Sequence, residues 1–388
     1  MKKLISISAL FLTAICSAPG AEYRTLPVDT YLDKMKGGWA GQMIGVSYGA
    51  PVEFRARGHI DDEELPAWKP GRALIGVGQD DLYVEMSFLE ALEKYGLDIT
   101  YEEAGKAFSE TKYPLCHASL QGRTNVQKGI MPPHSGSPRY NHHCADIDFQ
   151  IEADLFGLIS PGLPRSSNAI CDVFGHIMNY GDGVYGGMFM AAMYTHAFFE
   201  HDVEKVVRYG LRAIPRESVY AQTIRDALLW RSIHPNDWRR TWKLVTEKWA
   251  SRPSGRCFSG EGFNVDASLN GAYVVIGLLY GNGDLSKTLE IATRCGQDSD
   301  CNPSSAAGVL CTILGFERIP EQYRAGIPAI AGMKFVYSKY SFNDLVPTCL
   351  QMARENIRRS GGCSKKIDGK EVFLIPAQAS GSKFWVSG

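Results

Sequence analysis

One predicted helix of this chain carries a glycine at every fourth position. Apolar spacing predicts the helix over residues 28–48, and Gly37, Gly41, Gly45 and Gly49 recur within it or directly after it. Residues four apart share a helix face, and glycine lacks a Cβ atom, so another backbone or a ligand can approach this face closely. Packing of a second helix and approach of a ligand are both open explanations at this stage.

Apolar residues at helical spacing continue along the chain and predict an all-α fold. Further helices are predicted over residues 80–95, 148–158, 168–180, 184–200, 202–213, 217–231, 236–250, 268–280, 285–295, 303–314 and 342–359. A strand pattern is found mainly over residues 370–375, behind the Asp368-Gly369 turn. We therefore predict one all-α domain over residues 22–360 and a short β-like tail over residues 361–388.

Residues 110–146 interrupt the helical rhythm with several prolines and glycines, and we expect a long loop there. Long loops inside a compact domain are usually functional or disordered. Aromatic and basic side chains favour a function, and they suit stacking on a sugar or a base. These side chains are Tyr113, His117, Arg123, His134, Tyr140, His142 and His143.

The first 21 residues read as a secretory signal peptide. Met1-Lys2-Lys3 is a basic start, residues 4–15 are largely apolar, and residues 16–21 are mostly small. The apolar core is too short to span a bilayer. We therefore expect an exported protein, either periplasmic or secreted. Cys16 leaves a lipoprotein anchor as an alternative, although the bulky Ile15 before it does not suit one.

Composition excludes several classes of partner. The 388 residues are 45% hydrophobic and 21% charged, which is typical of a globular protein. The 41 basic and 42 acidic side chains leave a net charge of −1, so no strong field favours nucleic acid or an anionic membrane. The ten cysteines include no Cys-x-x-Cys pair, hence no zinc or thioredoxin signature. Cys311 and Cys349 are expected to be inert core residues.

Two pairs of carboxylates precede predicted helices. Asp80 and Asp81 open one helix, and Asp298 and Asp300 come just before another. Each pair by itself could cap its helix or form a turn. Together they suggest a site of four carboxylates built from two helix N-termini, which is unstable unless cations neutralise the charge. A pair of Mg²⁺, Mn²⁺ or Ca²⁺ ions would do so.

Glu53 is the third acidic candidate. Pro51 should end the glycine-bearing helix and place Glu53 in a loop at its C-terminal end. A carboxylate is unfavourable there because the helix dipole is negative at that end. Its position therefore calls for a functional explanation.

These motifs, in this order, resemble the ADP-ribosylglycohydrolase family, which includes bacterial dinitrogenase-reductase-activating glycohydrolases. The resemblance covers roughly residues 28–318. It rests on Gly-x-x-x-Gly-x-x-x-Gly-Ala-Pro-Val-Glu ending at Glu53, on the Asp pair opening a helix, and on Gly-x-Asp-x-Asp-x-Asn over residues 296–302 before a helix of small residues. The sequence is similar to a divergent, often exported, bacterial subgroup.

The resemblance implies an orthogonal all-α bundle with a dinuclear Mg²⁺ or Mn²⁺ site in a cleft. In the family pattern, the two Asp pairs match metal ligands and Glu53 matches the acidic residue over the scissile sugar bond. The predicted metal ligands are Gln79, Asp80, Asp81, Asp298 and Asp300. The predicted catalytic residues are Glu53 and Asp300, and the predicted substrate-binding residues are Gly49, Asp148, Glu152 and Asn302.

The chain departs from the family pattern at two positions next to the Asp pairs. Gln79 and Cys301 stand where the family usually has threonine. Gln79 could still ligate through its amide oxygen. Cys301 is a poor ligand for a hard cation, so one metal ion is expected to be weaker, absent or different.

The middle of the chain departs as well. Asp146, Asp148, Gln150, Glu152 and Asp154 recur at every second position and then fall on a predicted helix, so they cannot share one face. We expect Asp148 and Glu152 to line the cleft. The other three are expected to be solvated or to cap helices.

The parts indicate a metal-dependent hydrolase of a glycosidic bond to a ribose-like sugar, because that chemistry needs a carboxylate and an activated water. The expected substrate is a small molecule or carbohydrate: an ADP-ribosyl conjugate, a nucleoside or a furanoside. We expect a monomer or homodimer with no nucleic-acid partner and no stable membrane insertion. Two alternatives are an exported sugar- or nucleotide-binding protein with a degenerate metal site and a two-metal phosphoesterase.

Overall fold

The computed structural model describes residues 22–251 and 264–378. The predicted signal peptide lies outside the described residues. The helices are α1 (Val28–Gly49), α2 (Asp80–Tyr95), α3 (Tyr101–Ser109), α4 (His117–Gln127), α5 (Asp148–Ile151), α6 (Asp154–Leu158), α7 (Pro164–Met178), α8 (Asp182–Ala197), α9 (Val203–Leu211), α10 (Val219–Ile233), α11 (Trp238–Trp249), α12 (Ala267–Gly281), α13 (Leu285–Arg294), α14 (Cys301–Leu314), α15 (Glu321–Arg324), α16 (Ile327–Ile330) and α17 (Phe342–Arg359). The strands are β1 (Tyr23–Pro27), β2 (Cys363–Ile367) and β3 (Lys370–Pro376). Short 3₁₀ helices cover Ala50–Val52, Pro70–Gly78 and Phe316–Arg318. The prediction of a mostly helical fold is confirmed.

The glycine stripe of α1 packs directly against the backbone of α14. A Cβ atom added at Gly37, Gly41 or Gly45 would clash with a carbonyl oxygen of that helix. The contacted residue moves from Cys311 opposite Gly37 to Pro303 opposite Gly45, so the two helices run antiparallel. Helix packing therefore explains the four-residue repeat at these three positions.

Helices α8 and α12 lie in the interior, where nearly every one of their residues is buried. Both sequences are apolar or small around the whole helix, which is the pattern of a helix enclosed by other helices. By contrast, α9, α13 and α17 bury one face only, and their charged residues face solvent. None of the helices in the two described ranges has the length and apolarity needed to cross a bilayer.

The predicted strand over residues 370–375 pairs with both other strands in a small antiparallel sheet of order β1-β3-β2. Tyr23 lies opposite Pro376, so the C-terminal strand pairs with the first described segment of the chain. Phe373 of β3 packs edge-on against Tyr31 of α1, with ring centroids 5.6 Å apart. Strand β1 was not predicted, because five residues without clean alternation carry little strand signal.

Several local predictions differ from the structure. Helix α3 was not predicted, and α4 lies inside the segment expected to be a long loop. Gly122 does not interrupt α4; it lets that helix approach α7, where an added Cβ would lie 2.6 Å from the Ile177 carbonyl oxygen. The helix predicted over residues 148–158 is two short helices, because the Leu155 amide donates to Glu85 Oε1 (2.8 Å).

The described cysteines are mostly buried thiols. Cys311 and Cys349 are free and fully buried, as expected of core residues. Cys363, at the start of β2, is disulfide-bonded.

Candidate metal centre and active site

The last glycine of the stripe positions the loop that carries the second Asp pair. A Cβ atom at Gly49 would clash with the Ser299 carbonyl oxygen and would lie 2.6 Å from the Asp300 Cα atom. Only a glycine at the end of α1 lets this loop approach so closely. The structure thus gives Gly49 a packing role, and its contact with substrate stays a prediction.

Two backbone hydrogen bonds connect the Glu53 loop to the same region. The Phe54 amide donates to the Gln297 carbonyl (3.2 Å), and the Gln297 amide donates to the Ala56 carbonyl (2.8 Å). Phe54 and Gln297 both adopt left-handed backbone conformations, with φ of 53° and 60°. Such conformations are uncommon outside glycine and persist where the surrounding structure holds them. They place Glu53 beside the second Asp pair.

The 3₁₀ helix Pro70–Gly78 leads into the first Asp pair at the start of α2. The Gly76 amide donates to Ser47 Oγ of α1 (2.9 Å), which ties this segment to the glycine-bearing helix. Gln79 is the N-cap residue of α2, but its side chain does not cap the helix. The next two residues, Asp80 and Asp81, start α2, and the Asp81 side chain is buried.

The two Asp pairs meet at Cys301. The ligand atoms of Asp80, Asp81 and Cys301 all lie within 4.8 Å of one another. The ligand atoms of Asp298, Asp300 and Cys301 form a second group with the same spacing. The Cys301 Sγ atom is 3.3 Å from Asp81 Oδ2 and 3.7 Å from Asp300 Oδ1. The sequence-based expectation that residues far apart in the chain form one acidic cluster therefore agrees with the geometry.

Electrostatics make this cluster unfavourable without a counter-charge. Burial, followed by the charge of Asp300, raises the pKa of Asp80 to about 6. Burial and neighbouring carboxylates hold the pKa of Asp81 and Asp298 well above the usual range. Although solvent reaches part of Glu53, desolvation and the charges of Asp300 and Asp80 raise its pKa to about 7.

The donor set fits a divalent cation. Carboxylate oxygens are the ligands that Mg²⁺ and Mn²⁺ prefer. Asp81 Oδ1 is buried without a hydrogen-bond partner among the described residues, so it is available as a ligand. No lysine or arginine is among the described side chains that line the cleft. A bound cation would supply the charge that the protein itself does not.

The cluster opens into a cleft of about 110 Å³ with two unlike walls. One wall is acidic and includes Glu53 and Asp80. The other is apolar, with Phe54 packed on a small group of buried residues that includes Ile147, Ile151 and Val265. The lining residues are Glu53, Phe54, Asp80, Leu115, Cys116, His117, Ser119, Ile147, Asp148, Ile151, Glu152, Val265, Asp298 and Cys301.

Asp148 and Glu152 both line the cleft, where Ser119 contacts both, and their binding of substrate stays a prediction. The Ser119 amide donates to Asp148 Oδ1 (2.8 Å), and the Ser119 hydroxyl donates to Glu152 Oε1 (3.2 Å). Burial raises the pKa of both carboxyl groups. Ser119 was not singled out from the sequence, because a serine in the first turn of a helix carries no distinctive signal.

The expectation that the other three polar residues of this segment are solvated is wrong, since Asp146, Gln150 and Asp154 are buried. Nor does a side chain cap α5 or α6, the two helices of this segment. The Tyr220 hydroxyl donates to Gln150 Oε1 (2.7 Å), and the Tyr194 hydroxyl donates to Asp154 Oδ2 (2.6 Å). These tyrosines come from α10 and α8, so tertiary packing supplies the partners that make burial possible.

Asn302 and Gln79 each lie beside one of the Asp pairs. Asn302 is fully buried, and its amide nitrogen donates to Asn270 Oδ1 (3.0 Å) and to the Gly296 carbonyl (3.4 Å). These bonds support the loop that holds Asp298. Substrate binding by Asn302 and metal binding by Gln79 stay predictions.

The fold and the cleft together define an all-α protein with a carboxylate-rich pocket suited to divalent cations. The chain belongs to the ADP-ribosylglycohydrolase family, whose sequence model matches residues 27–353. This membership supports a glycohydrolase-type activity. Among solved structures, the chain is similar to one described as an ADP-ribosylglycohydrolase-related protein complex, at 14% identity and a TM-score of 0.49, covering 84% of this chain and 99% of that one. No curated protein matches the chain.

Proposed function

We propose that this protein is a divalent-metal-dependent hydrolase of a glycosidic bond to a ribose-like furanose. The observation that carries the proposal is the position of Glu53, which lines the same cleft as Asp80 and Asp298. Glycoside cleavage needs a carboxylate at the anomeric carbon and a water positioned to attack it. A metal-assisted site adds binding of the sugar hydroxyls.

The residues proposed to hold metal are Asp80, Asp81, Asp298 and Asp300, with Gln79 as a further candidate. Two Mg²⁺ or Mn²⁺ ions are proposed, as the family resemblance implies. When bound, such ions orient sugar hydroxyls and lower the pKa of a bound water.

Glu53 is proposed as the general base. Without metal, burial and the charges of Asp300 and Asp80 raise its pKa to about 7, and bound cations would lower that pKa, so that the carboxylate form is available near neutral pH. In the proposed step, Glu53 takes a proton from water, the water oxygen bonds to the anomeric carbon, and the bond to the leaving oxygen or nitrogen breaks. The leaving atom takes a proton from solvent on the opposite face of the sugar. Asp300, the second predicted catalytic residue, is proposed to contribute as a metal ligand beside Glu53.

The apolar wall favours a leaving group without charge. A pyrophosphate on the substrate would meet no lysine or arginine among the described lining residues, whereas Phe54, Ile147 and Val265 offer contacts to a base or an aryl group. We therefore propose a nucleoside or a furanoside as substrate in preference to an ADP-ribosyl conjugate.

The test is a hydrolysis screen with metal-loaded protein on nucleosides, aryl furanosides and ADP-ribosyl-arginine. Glu53→Gln should lower kcat by at least about a hundredfold on the best substrate, since a general acid–base group contributes 10²–10⁴-fold. Glu63→Gln, an exposed glutamate on the same loop region, is the matched control and should retain activity. Equal rates in Glu53→Gln and the native protein would exclude the proposed role. Phosphate release without sugar release would indicate a phosphoesterase instead.

We also propose that the protein is exported, with residues 1–21 as the cleaved signal. The support is the basic, apolar and small-residue order of that segment. Fractionation of cells that express the chain with and without residues 1–21 tests this. Equal distribution of both forms between cytoplasm and exterior would contradict export.

A further inference from the structure

A second group of metal-type ligands, apart from the four aspartates, reaches the cleft through His117. It consists of His117, His143 and Asp146, whose ligand atoms all lie within 4.8 Å of one another. The Nδ1 atom of His143 is 2.7 Å from Asp146 Oδ2, and the Nδ1 atom of His117 is 3.5 Å from the same oxygen. The two imidazole rings are 5.3 Å apart and nearly perpendicular.

The backbone that carries this group is held from several sides. The Asn141 side-chain amide donates to the carbonyls of Ala118 and Met178, and Asn141 Oδ1 accepts from the His143 amide (2.9 Å). The Asn179 amide group donates to the Asp146 carbonyl (2.8 Å). The three side chains are thus presented by a fixed frame, which is what a preorganised ligand site requires.

His117 contributes a second observation. It is the first residue of α4 and has a left-handed backbone conformation with φ of 40°. A histidine in that region is uncommon, and such residues cluster at functional sites where the surrounding structure holds them in place. The unusual backbone brings the ring towards Asp146 while His117 also lines the cleft.

We propose that His117, His143 and Asp146 form a binding site for a borderline divalent cation, Zn²⁺ in the first instance, at the edge of the substrate cleft. Two imidazole nitrogens and one carboxylate oxygen are a donor set that suits Zn²⁺. The all-oxygen aspartate cluster suits harder cations. Three protein ligands leave one position of a tetrahedral zinc open to water or to a substrate donor atom. This proposal does not depend on the glycosidase proposal.

Asp146 is fully buried. A buried carboxylate is costly unless charged or polar partners compensate it. The hydrogen bond between His143 Nδ1 and Asp146 Oδ2 (2.7 Å) offers one form of compensation, and a bound cation offers another. The experiment must therefore separate a metal site from a network of hydrogen bonds.

The measurement is Zn²⁺ binding by the full protein after chelator stripping, in excess Mg²⁺ that occupies the aspartate cluster. A chromophoric zinc chelator competes for the ion, and the retained metal is counted by mass spectrometry. His117→Gln and His143→Gln should each weaken Zn²⁺ binding by at least about tenfold, because even second-shell partners of a metal site are worth 10–100-fold. His142→Gln, an exposed neighbour in the same loop, is the matched control.

Cys301→Ser distinguishes the two sites. If Zn²⁺ binds at the histidine group, Cys301→Ser leaves its affinity unchanged while both histidine variants lose it. If Cys301→Ser loses zinc and the histidine variants keep it, the ion belongs to the aspartate cluster and the proposal is overturned. Absence of zinc binding by the native protein overturns it too. Circular dichroism and thermal midpoints show whether each variant is folded, and the two histidine positions give independent tests.

Discussion

The thiol of Cys301 lies 3.3 Å from Oδ2 of Asp81, although 220 positions separate the two residues in the chain. Asp81 belongs to the start of α2 and Cys301 to the start of α14, so two helix N-termini converge at this contact. Burial, followed by the charges of the surrounding carboxylates, holds the pKa of the Cys301 thiol well above its ordinary value. A neutral thiol thus stands at the centre of the acidic cluster.

Replacing Cys301 with the residue that the family pattern favours should change metal preference. We expect Cys301→Thr to bind Mg²⁺ on the order of tenfold more tightly and Cd²⁺ less tightly, because a hydroxyl oxygen is a harder ligand than sulfur. Calorimetric titration of both ions measures the change. Cys171→Ser, a buried cysteine away from the cleft, is the control. Unchanged Mg²⁺ and Cd²⁺ affinities in Cys301→Thr would show that the thiol does not face the ions.

Without metal, the acidic cluster should lower the free energy of unfolding as pH rises. A carboxyl group with a raised folded-state pKa binds protons better in the folded chain, so its contribution to stability falls as pH rises from its unfolded pKa to its folded pKa. For Asp80 this interval runs from 3.8 to about 6. Asp80→Asn should therefore gain stability relative to the native protein as pH rises across that interval, reaching about 3 kcal/mol at its upper end. Urea unfolding in chelator at several pH values measures the difference.

The control for this pH effect is Asp368→Asn, in the exposed turn between β2 and β3, which should show no comparable gain. A pH-independent difference between Asp80→Asn and the native protein would contradict the prediction.

Added Mn²⁺ should reverse the order of stability between native protein and Asp80→Asn at neutral pH. A ligand that binds only the folded state stabilises it by about 4.1 kcal/mol at a thousandfold excess over its Kd, which exceeds the advantage of Asp80→Asn without metal. Asp80→Asn removes a proposed ligand, so it should gain less. Thermal midpoints with Mn²⁺ and with chelator give the comparison. Equal shifts in the two proteins would remove Asp80 from the ligand set.

A single methyl group added to the glycine stripe of α1 should lower the free energy of unfolding. Gly45→Ala should lower the unfolding free energy by about 1–3 kcal/mol, because its Cβ would clash with the Pro303 carbonyl and force α1 away from α14. Gly71→Ala is the matched control, since an added Cβ there meets no atom within 4 Å. Urea denaturation of both variants gives the two values, and similar values would contradict the packing explanation.

The buried pair of Tyr194 and Asp154 should contribute to stability without touching the cleft. Tyr194→Phe removes the hydroxyl that donates to Asp154 Oδ2 and should cost about 1–3 kcal/mol, the usual penalty for leaving a buried polar group unsatisfied. Tyr337→Phe serves as control, because the Tyr337 side chain is 61% exposed. Chemical denaturation measures both. An unchanged free energy of unfolding in Tyr194→Phe would mean that another group satisfies the buried Asp154 carboxyl.

The sequence by itself determined most of the helices, because apolar periodicity is a local property that survives in the fold. Helix α17 has the predicted bounds of 342–359, and α2 those of 80–95. The four-residue glycine repeat likewise indicated a face made for close approach. Sequence motifs also singled out the two Asp pairs and Glu53 as acidic residues next to helix ends.

Only the tertiary structure decided which partners these local features meet. The α14 backbone against the glycine stripe, the convergence of both Asp pairs at Cys301, and the Ser119 bonds to Asp148 and Glu152 join residues far apart in the chain. Periodicity reports which residues share a face, but it contains no information about the surface that covers that face. The split between α5 and α6 has the same cause, because a glutamate side chain from α2 takes the amide that would have continued the helix.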